Sequence, residues 1–271
     1  MKSSKELGID ITLIDLVESF NLSRNVMKCL KLLLASDEIQ AEQEFANTVS
    51  IIRLGFNDHG PVHMRTATYN ALLMMSLLKK AGIKTSIEKD GCGDFEDSLI
   101  AVMLAAMFHD LGMQMGRTNH ELHSTIFALP LINSILVQVF PENLQKRVII
   151  RAVALEGIAG HMGTISISSL EAGIIQIADG CDMTKGRARI PISLASSTGM
   201  GHIHQYSANA IETVNISQGE EKPIRIDIHM TNEAGVFQIE EVLMHKVSGS
   251  TAKKYIELYA SVRDEAARRY L

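Results

Sequence analysis

The chain has 271 residues, 46% hydrophobic and 21% charged, with a formal net charge of −5. That length is enough to bury a full core in roughly one large domain or one plus a small second one. The composition is that of an ordinary globular protein. The negative balance excludes bulk attraction to nucleic acid or an anionic membrane, while leaving room for a local basic patch that holds a small anion.

Residues 10–54 read as two or three packing helices, with apolar faces at Leu13, Leu16 and Val17, at Val26, Cys29, Leu30 and Leu33, and at Phe45, Val49 and Ile52. Ser36-Asp37-Glu38 is a start signal for the last of them. Asn57-Asp58-His59-Gly60-Pro61-Val62-His63 is then a turn that opens a helix running to about Lys80. Pro61 stands near the first helical position, and His63 falls in the first turn. His59 lies in the turn itself and reads as a loop or capping residue.

Glu88 to Phe95 reads as an exposed loop. It leads into Leu99-Ile-Ala-Val-Met-Leu-Ala-Ala-Met107, a run apolar on all sides that ends in Phe108-His109-Asp110-Leu111-Gly112. A helix apolar all round is buried, so the imidazole and carboxylate at its end need partners. Two readings compete: a cation held by both groups, or a satisfied helix end with Gly112 as terminator. A further helix starts at about His120, with Pro130 expected to kink or interrupt it. His120 and His123 both fall in its opening turn, and His120 is preferred as a ligand because it starts the helix.

A helical pattern from Gln145 to Glu156 breaks at Gly157-Ile-Ala-Gly-His161-Met-Gly163, which leaves His161 at a helix end. Ser168-Ser169 is an N-cap signal for an apolar run that Asp179 interrupts, with Asp182 as its competitor on the same face. Lys185, Arg187 and Arg189 follow at once. They read either as solvated helix-end cations or as a clamp for phosphate oxygens, and Arg117 is a further candidate. The last ~65 residues alternate apolar and polar in a β-β-α-β order, read as a small α+β unit with an antiparallel sheet and a charged, frayed tail. His202, His204, His229 and His245 show no ligand pattern. Cys29, Cys92 and Cys181 have no paired spacing, and no continuous apolar run reaches ~18–20 residues, so a reducing, cytoplasmic setting is expected.

Taken in order, His63, His109-Asp110, His120, His161 and Asp179 resemble the H…HD…H…H…D pattern of the HD-domain superfamily of metal-dependent phosphohydrolases, over about residues 50–190. The resemblance implies an all-α core, which agrees with the helical reading; together with the alternating C-terminal pattern the expectation is a mainly α fold, with an HD-type helical core in residues 1–200 and a small α+β domain in 201–271. It further implies a first metal held by His63, His109, Asp110 and Asp179, and a second completed by His120 and His161 with Asp110 bridging. His161 lacks the adjacent His of the cyclic-dinucleotide branch and no Gly-Tyr-Pro motif follows, which argues against cyclic di-GMP as substrate. Imidazole with carboxylate suits one or two ions of Mn, Fe, Co, Ni or Zn. Such an ion supplies hydroxide at neutral pH for attack on phosphorus, with Asp110, Lys185, Arg187 and Arg189 as the catalytic candidates. The expected substrate is a small phosphate ester, a nucleotide or cyclic phosphate, with no bulk nucleic acid and no membrane as partner. Two rival readings are a di-iron oxygenase on the same scaffold and a non-catalytic nucleotide-binding regulatory module. The half-buried C-terminal strands are as able to pair in a homo-oligomer as to pack on the core.

Overall fold

Residues 99–107 carry no polar side chain, so a helix there must be enclosed by others. The computed structural model describes residues 2–184 and 202–271, and of 202–205 only the backbone; Lys185, Arg187 and Arg189 lie outside the described residues. In chain order it has α1 (Ser4–Ser19), α2 (Arg24–Ala35), α3 (Asp37–Thr48), α4 (Pro61–Lys80), the short α5 (Ser86–Lys89), α6 (Phe95–Phe108), α7 (His120–Val139), α8 (Leu144–Gly160), α9 (Leu170–Gly180) and α10 (His202–Asn209). Helix α6 is the centre. Every residue from Leu99 to Phe108 is buried, with α2, α4, α8 and α9 packed against it and α1, α3 and α7 against those. The fold is mainly α with a small C-terminal α+β part.

The apolar faces of the first three helices enter this core, but their polar residues do more than face water. Arg65 of α4 is buried, and its guanidinium donates to Asp10 Oδ1 (2.7 Å), Gln43 Oε1 (2.9 Å), Gln40 Oε1 (2.9 Å) and Pro61 O (3.1 Å). Gln43 in turn donates to Met107 O at 2.9 Å, two residues before His109. A buried charge is tolerated only when its donors are matched in this way, and the match ties α1, α3 and α4 to the end of α6.

Two local expectations change. Pro130 does not interrupt α7, which continues to Val139; Pro130 and Ile126, whose carbonyl loses its helical donor, both sit on the exposed side, where water can serve that carbonyl. Part of the expected loop before α6 is the helical turn α5, closed by a reciprocal Thr85–Glu88 cap. Among the described residues α7 is long and apolar enough to cross a bilayer by length and composition. Polar residues are scattered through it, so no unbroken apolar run is present. Here it packs against α8 and α2.

The C-terminal part holds β1 (Ile211–Gln218), β2 (Ile224–Met230), α11 (Met244–Gly249), β3 (Ile256–Val262) and β4 (Arg268–Arg269), in the sheet order β1-β2-β3-β4. The sheet is mixed rather than antiparallel. β1 pairs antiparallel with β2, but β2 runs parallel to β3, from Ile224 opposite Ile256 to Met230 opposite Val262. The reason is the helical connection between them, which returns the chain to the end from which β2 started. The charged tail is not frayed throughout, since Arg268 and Arg269 pair with Ala260 and Tyr259. Ile224, Ile226, Ile228, Ile256 and Leu258 are buried and join the same apolar core as the helices, with β1 and β2 lying against α4.

Candidate metal centre

Each of the six predicted metal ligands is placed by a helix end. His63 is the third residue of α4, behind Pro61. His109 closes α6, and Asp110 follows at φ −105°, outside the helix. His120 opens α7 after a turn that needs the left-handed region twice, at Gly116 (φ +134°) and Asn119 (φ +55°); glycine and asparagine are the residues that enter it at least cost. His161 closes α8, and Asp179 lies in the last turn of α9, a helix capped by Ser169.

These six side chains converge in the interior, none more than 5% exposed. Asp110 stands at the middle. Its Oδ2 lies 3.2 Å from His63 Nε2 and 3.3 Å from His109 Nε2, while Oδ1 lies 3.2 Å from His120 Nε2 and 3.5 Å from His161 Nε2. Asp179 Oδ1 joins the first pair, 3.1 Å from His63 Nε2 and 3.7 Å from His109 Nε2. Three overlapping triads, His63–His109–Asp110, His109–His161–Asp179 and Asp110–His120–His161, each have ligand atoms within 4.8 Å of one another.

The orientation of the rings decides what the cluster can hold. His109 Nδ1 faces Ala106 O (2.8 Å), His120 Nδ1 faces Arg117 O (3.0 Å), His161 Nδ1 faces Ile158 O (2.7 Å) and His63 Nδ1 faces Asp182 Oδ2 (2.7 Å). All four partners only accept, so each Nδ1 donates, and in the neutral ring each Nε2 bears its lone pair. Those nitrogens nevertheless face one another, at 3.1 Å between His63 and His109 and 3.2 Å between His120 and His161. Lone pairs at that distance repel unless a positive charge lies between them. Ligand atoms about 2.1 Å from a shared ion, at angles from right to tetrahedral, stand roughly 3.0–3.4 Å apart, which is close to the spacing found here. The donor set fits a transition-metal cation, and the buried His and Asp groups could coordinate one.

Electrostatics agree with a site built for positive charge. Burial would raise the Asp110 carboxyl, yet His109, His59 and His120 hold it well below the usual carboxylate range. Burial opposes Asp179 likewise, and Lys246, His109 and His63 hold it low. Burial pushes His161 down to about 4, with the charges of His109 and His120 adding to the effect. His109 is raised despite its burial, because Asp110 and Asp179 favour its charged form. A cation at the same atoms would take the place of such protons.

The remaining candidates sort by contact. Asp179 faces the imidazole nitrogens and Asp182 instead holds the far side of His63. His123 is outside the triads, with its Cβ against Gly112. Gly112 is no simple helix terminator, because its N–H donates to Ser124 Oγ at 2.7 Å. His59 stands one layer out, its Nδ1 2.7 Å from Asn57 O and 2.9 Å from Ser50 Oγ, its Nε2 receiving Arg117 Nη1 at 3.3 Å. Lys246 of α11 was absent from the sequence candidates. Its signal was available: it continues the stripe Val236, Ile239, Leu243, a cation on the apolar side of a helical segment.

Among known proteins, the chain is 41% identical over 233 residues to the uncharacterized protein MJ1020 of Methanocaldococcus jannaschii, an alignment that covers 86% of this chain and 88% of that one. No family model and no solved structure matches the chain.

Proposed function

The chain belongs to one family with the Methanocaldococcus jannaschii protein MJ1020, and for it we propose a metal-dependent phosphohydrolase that cleaves a small phosphate ester, a nucleotide or cyclic phosphate. The observation that carries this reading is the division of Asp110 between two pairs of inward-facing imidazole nitrogens. In this reading His63, His109, Asp179 and Asp110 would hold one divalent ion, and His120, His161 and Asp110 would complete the site of a second. When bound, such ions acidify water and polarise a phosphoryl oxygen. The chain's own part is orientation: three backbone carbonyls and Asp182 fix the ring tautomers, and the closed apolar surroundings keep the charges effective. Lys185, Arg187 and Arg189 are proposed to take the non-bridging phosphate oxygens. The resemblance to HD-domain phosphohydrolases supports the reaction class.

Elemental analysis of untagged protein purified without chelator, followed by a phosphate-release screen with that metal restored, tests the reading. Two equivalents of transition metal and phosphate released from a nucleotide or cyclic ester are expected. Iron with oxygen consumption and no hydrolysis would replace it by the di-iron oxygenase, and absence of metal under every loading condition would end it.

Asp182 offers a narrower test. It accepts from His63 Nδ1, so Asp182→Ala leaves a metal-facing ring without its outer partner. Metal affinity is expected to fall about 10- to 100-fold, measured by competition with a chelating dye, while helical circular dichroism is kept. Unchanged affinity would mean that His63 is held by its packing alone.

A further inference from the structure

Lys246 is a lysine 6% exposed in the protein interior, and it comes from the C-terminal part rather than from the helices that carry the histidines. Its delivery is specific. Gly173 and Gly180 let α9 come close to this segment, since a Cβ at Gly173 would meet Ala252 N at 2.8 Å and one at Gly180 would meet Leu243 Cδ1 at 2.9 Å. Ser250 Oγ donates to Gly173 O (2.9 Å) and Thr251 Oγ1 to Ser169 O (2.6 Å). Held in this way, α11 points the Lys246 ammonium at Asp179 Oδ2, on the side of that carboxylate away from the imidazoles.

The same ammonium also lies 4.0 Å from Met162 Sδ, and Arg117 Nη2 lies 4.0 Å from that sulfur from another direction. A thioether is a weak acceptor. Asp179 occupies one of the three ammonium donors of Lys246, and His59 one of the five guanidinium donors of Arg117. Two strong cationic donors therefore converge on a group that satisfies neither, beside His161. Their separation is no greater than those two contacts end to end. Within that limit, both groups can reach different oxygens of one phosphate through charge-assisted hydrogen bonds of about 2.8 Å.

We infer that Lys246 and Arg117 are an anion-binding pair astride Met162 that receives the phosphate of the substrate, so that the C-terminal part completes the site formed by the helical core. The inference rests on the phosphohydrolase reading above. An ammonium and a guanidinium would approach the phosphate as a point charge and a planar fork, and Met162 is an unbranched thioether whose rotatable bonds allow it to make room.

Inorganic phosphate titrated calorimetrically into the metal-loaded full chain tests this, with metal content and thermal midpoint measured for each sample. Lys246→Met and Arg117→Gln are each expected to weaken phosphate binding roughly 10- to 100-fold at full metal content. Wild-type affinity in either folded, metal-loaded variant overturns the pair and leaves the phosphohydrolase reading standing. Loss of metal from Lys246→Met also overturns it, since Lys246 would then act only by holding Asp179. Should Lys246→Met not fold, Arg117→Gln decides the matter alone, because Arg117 is half-buried in a turn. No phosphate binding by the metal-loaded wild type would remove the phosphohydrolase reading itself.

Discussion

On the proposed two-ion phosphohydrolase reading, Asp110→Ala is expected to remove the second metal ion, to weaken the first, and to lower phosphate release at least about a thousandfold. The carboxylate is shared: one oxygen lies 3.2 and 3.3 Å from the first pair of imidazole nitrogens and the other 3.2 and 3.5 Å from the second. Without it, His120 and His161 face each other with no anionic ligand, and two neutral nitrogens make a poor site for a divalent ion. The first position keeps His63, His109 and Asp179. The side chain lies outside α6 and at the head of a 3₁₀ turn, so helical circular dichroism should be unchanged. Elemental analysis beside phosphate release reads both effects, and a variant with two ions and full turnover would end the assignment of the site.

Gly112→Ala is expected to destabilise the fold by about 3 kcal/mol and, on the proposed two-ion reading, to lose the second ion before the first. A Cβ at this position would fall inside contact distance of His120 O, 2.6 Å from Ser124 N and 2.8 Å from His123 Cβ. Two of those atoms are backbone, so no rotamer change relieves the clash and the first turn of α7 must move. That turn carries His120, whose Nε2 is 3.2 Å from Asp110 Oδ1, and retreat by about one ångström would take it out of reach of a shared ion. Gly8→Ala, with nothing within 4 Å of the new methyl, is the control and should not weaken the fold. Urea unfolding with metal analysis measures both parts. A Gly112→Ala protein of wild-type stability with two bound ions would show that α7 has slack that the packing does not reveal.

Much of the site was legible because its residues violate the pattern around them. His109 and Asp110 end an apolar run and Asp179 interrupts another, so each announces a polar group in the interior before any contact is known. His63 was fixed by Pro61, which sets where the helix starts and hence where its third residue points. Partners across the fold were not legible. Helix phase shows which face is buried but not which helices meet, so Arg65 gave no sign that it would gather Asp10, Gln40 and Gln43 around itself. The choice between Asp179 and Asp182 depended on the approach of α9 to α4, and both aspartates proved to touch His63 from opposite sides. The parallel pairing of β2 with β3 was missed for a simpler reason. Alternation reports a half-buried strand but not its direction, and the helical connection that sets the direction was already in view.

The six clustered residues span positions 63 to 179 and come from α4, α6, α7, α8 and α9, with the two ends of that span meeting at a single carboxylate–imidazole contact. No local segment can assemble them, so an ion that needs the whole set binds the native chain and not the unfolded one. Its binding free energy is then added to the stability of the fold, rising with the logarithm of free metal concentration. It would act as a reversible cross-link closing loops of dozens of residues, in a chain whose cysteines are all free. On the proposed reading the protein would carry its supply of metal as part of its resistance to unfolding, and starvation for the ion would be felt by the whole bundle as well as by the chemistry proposed at its centre.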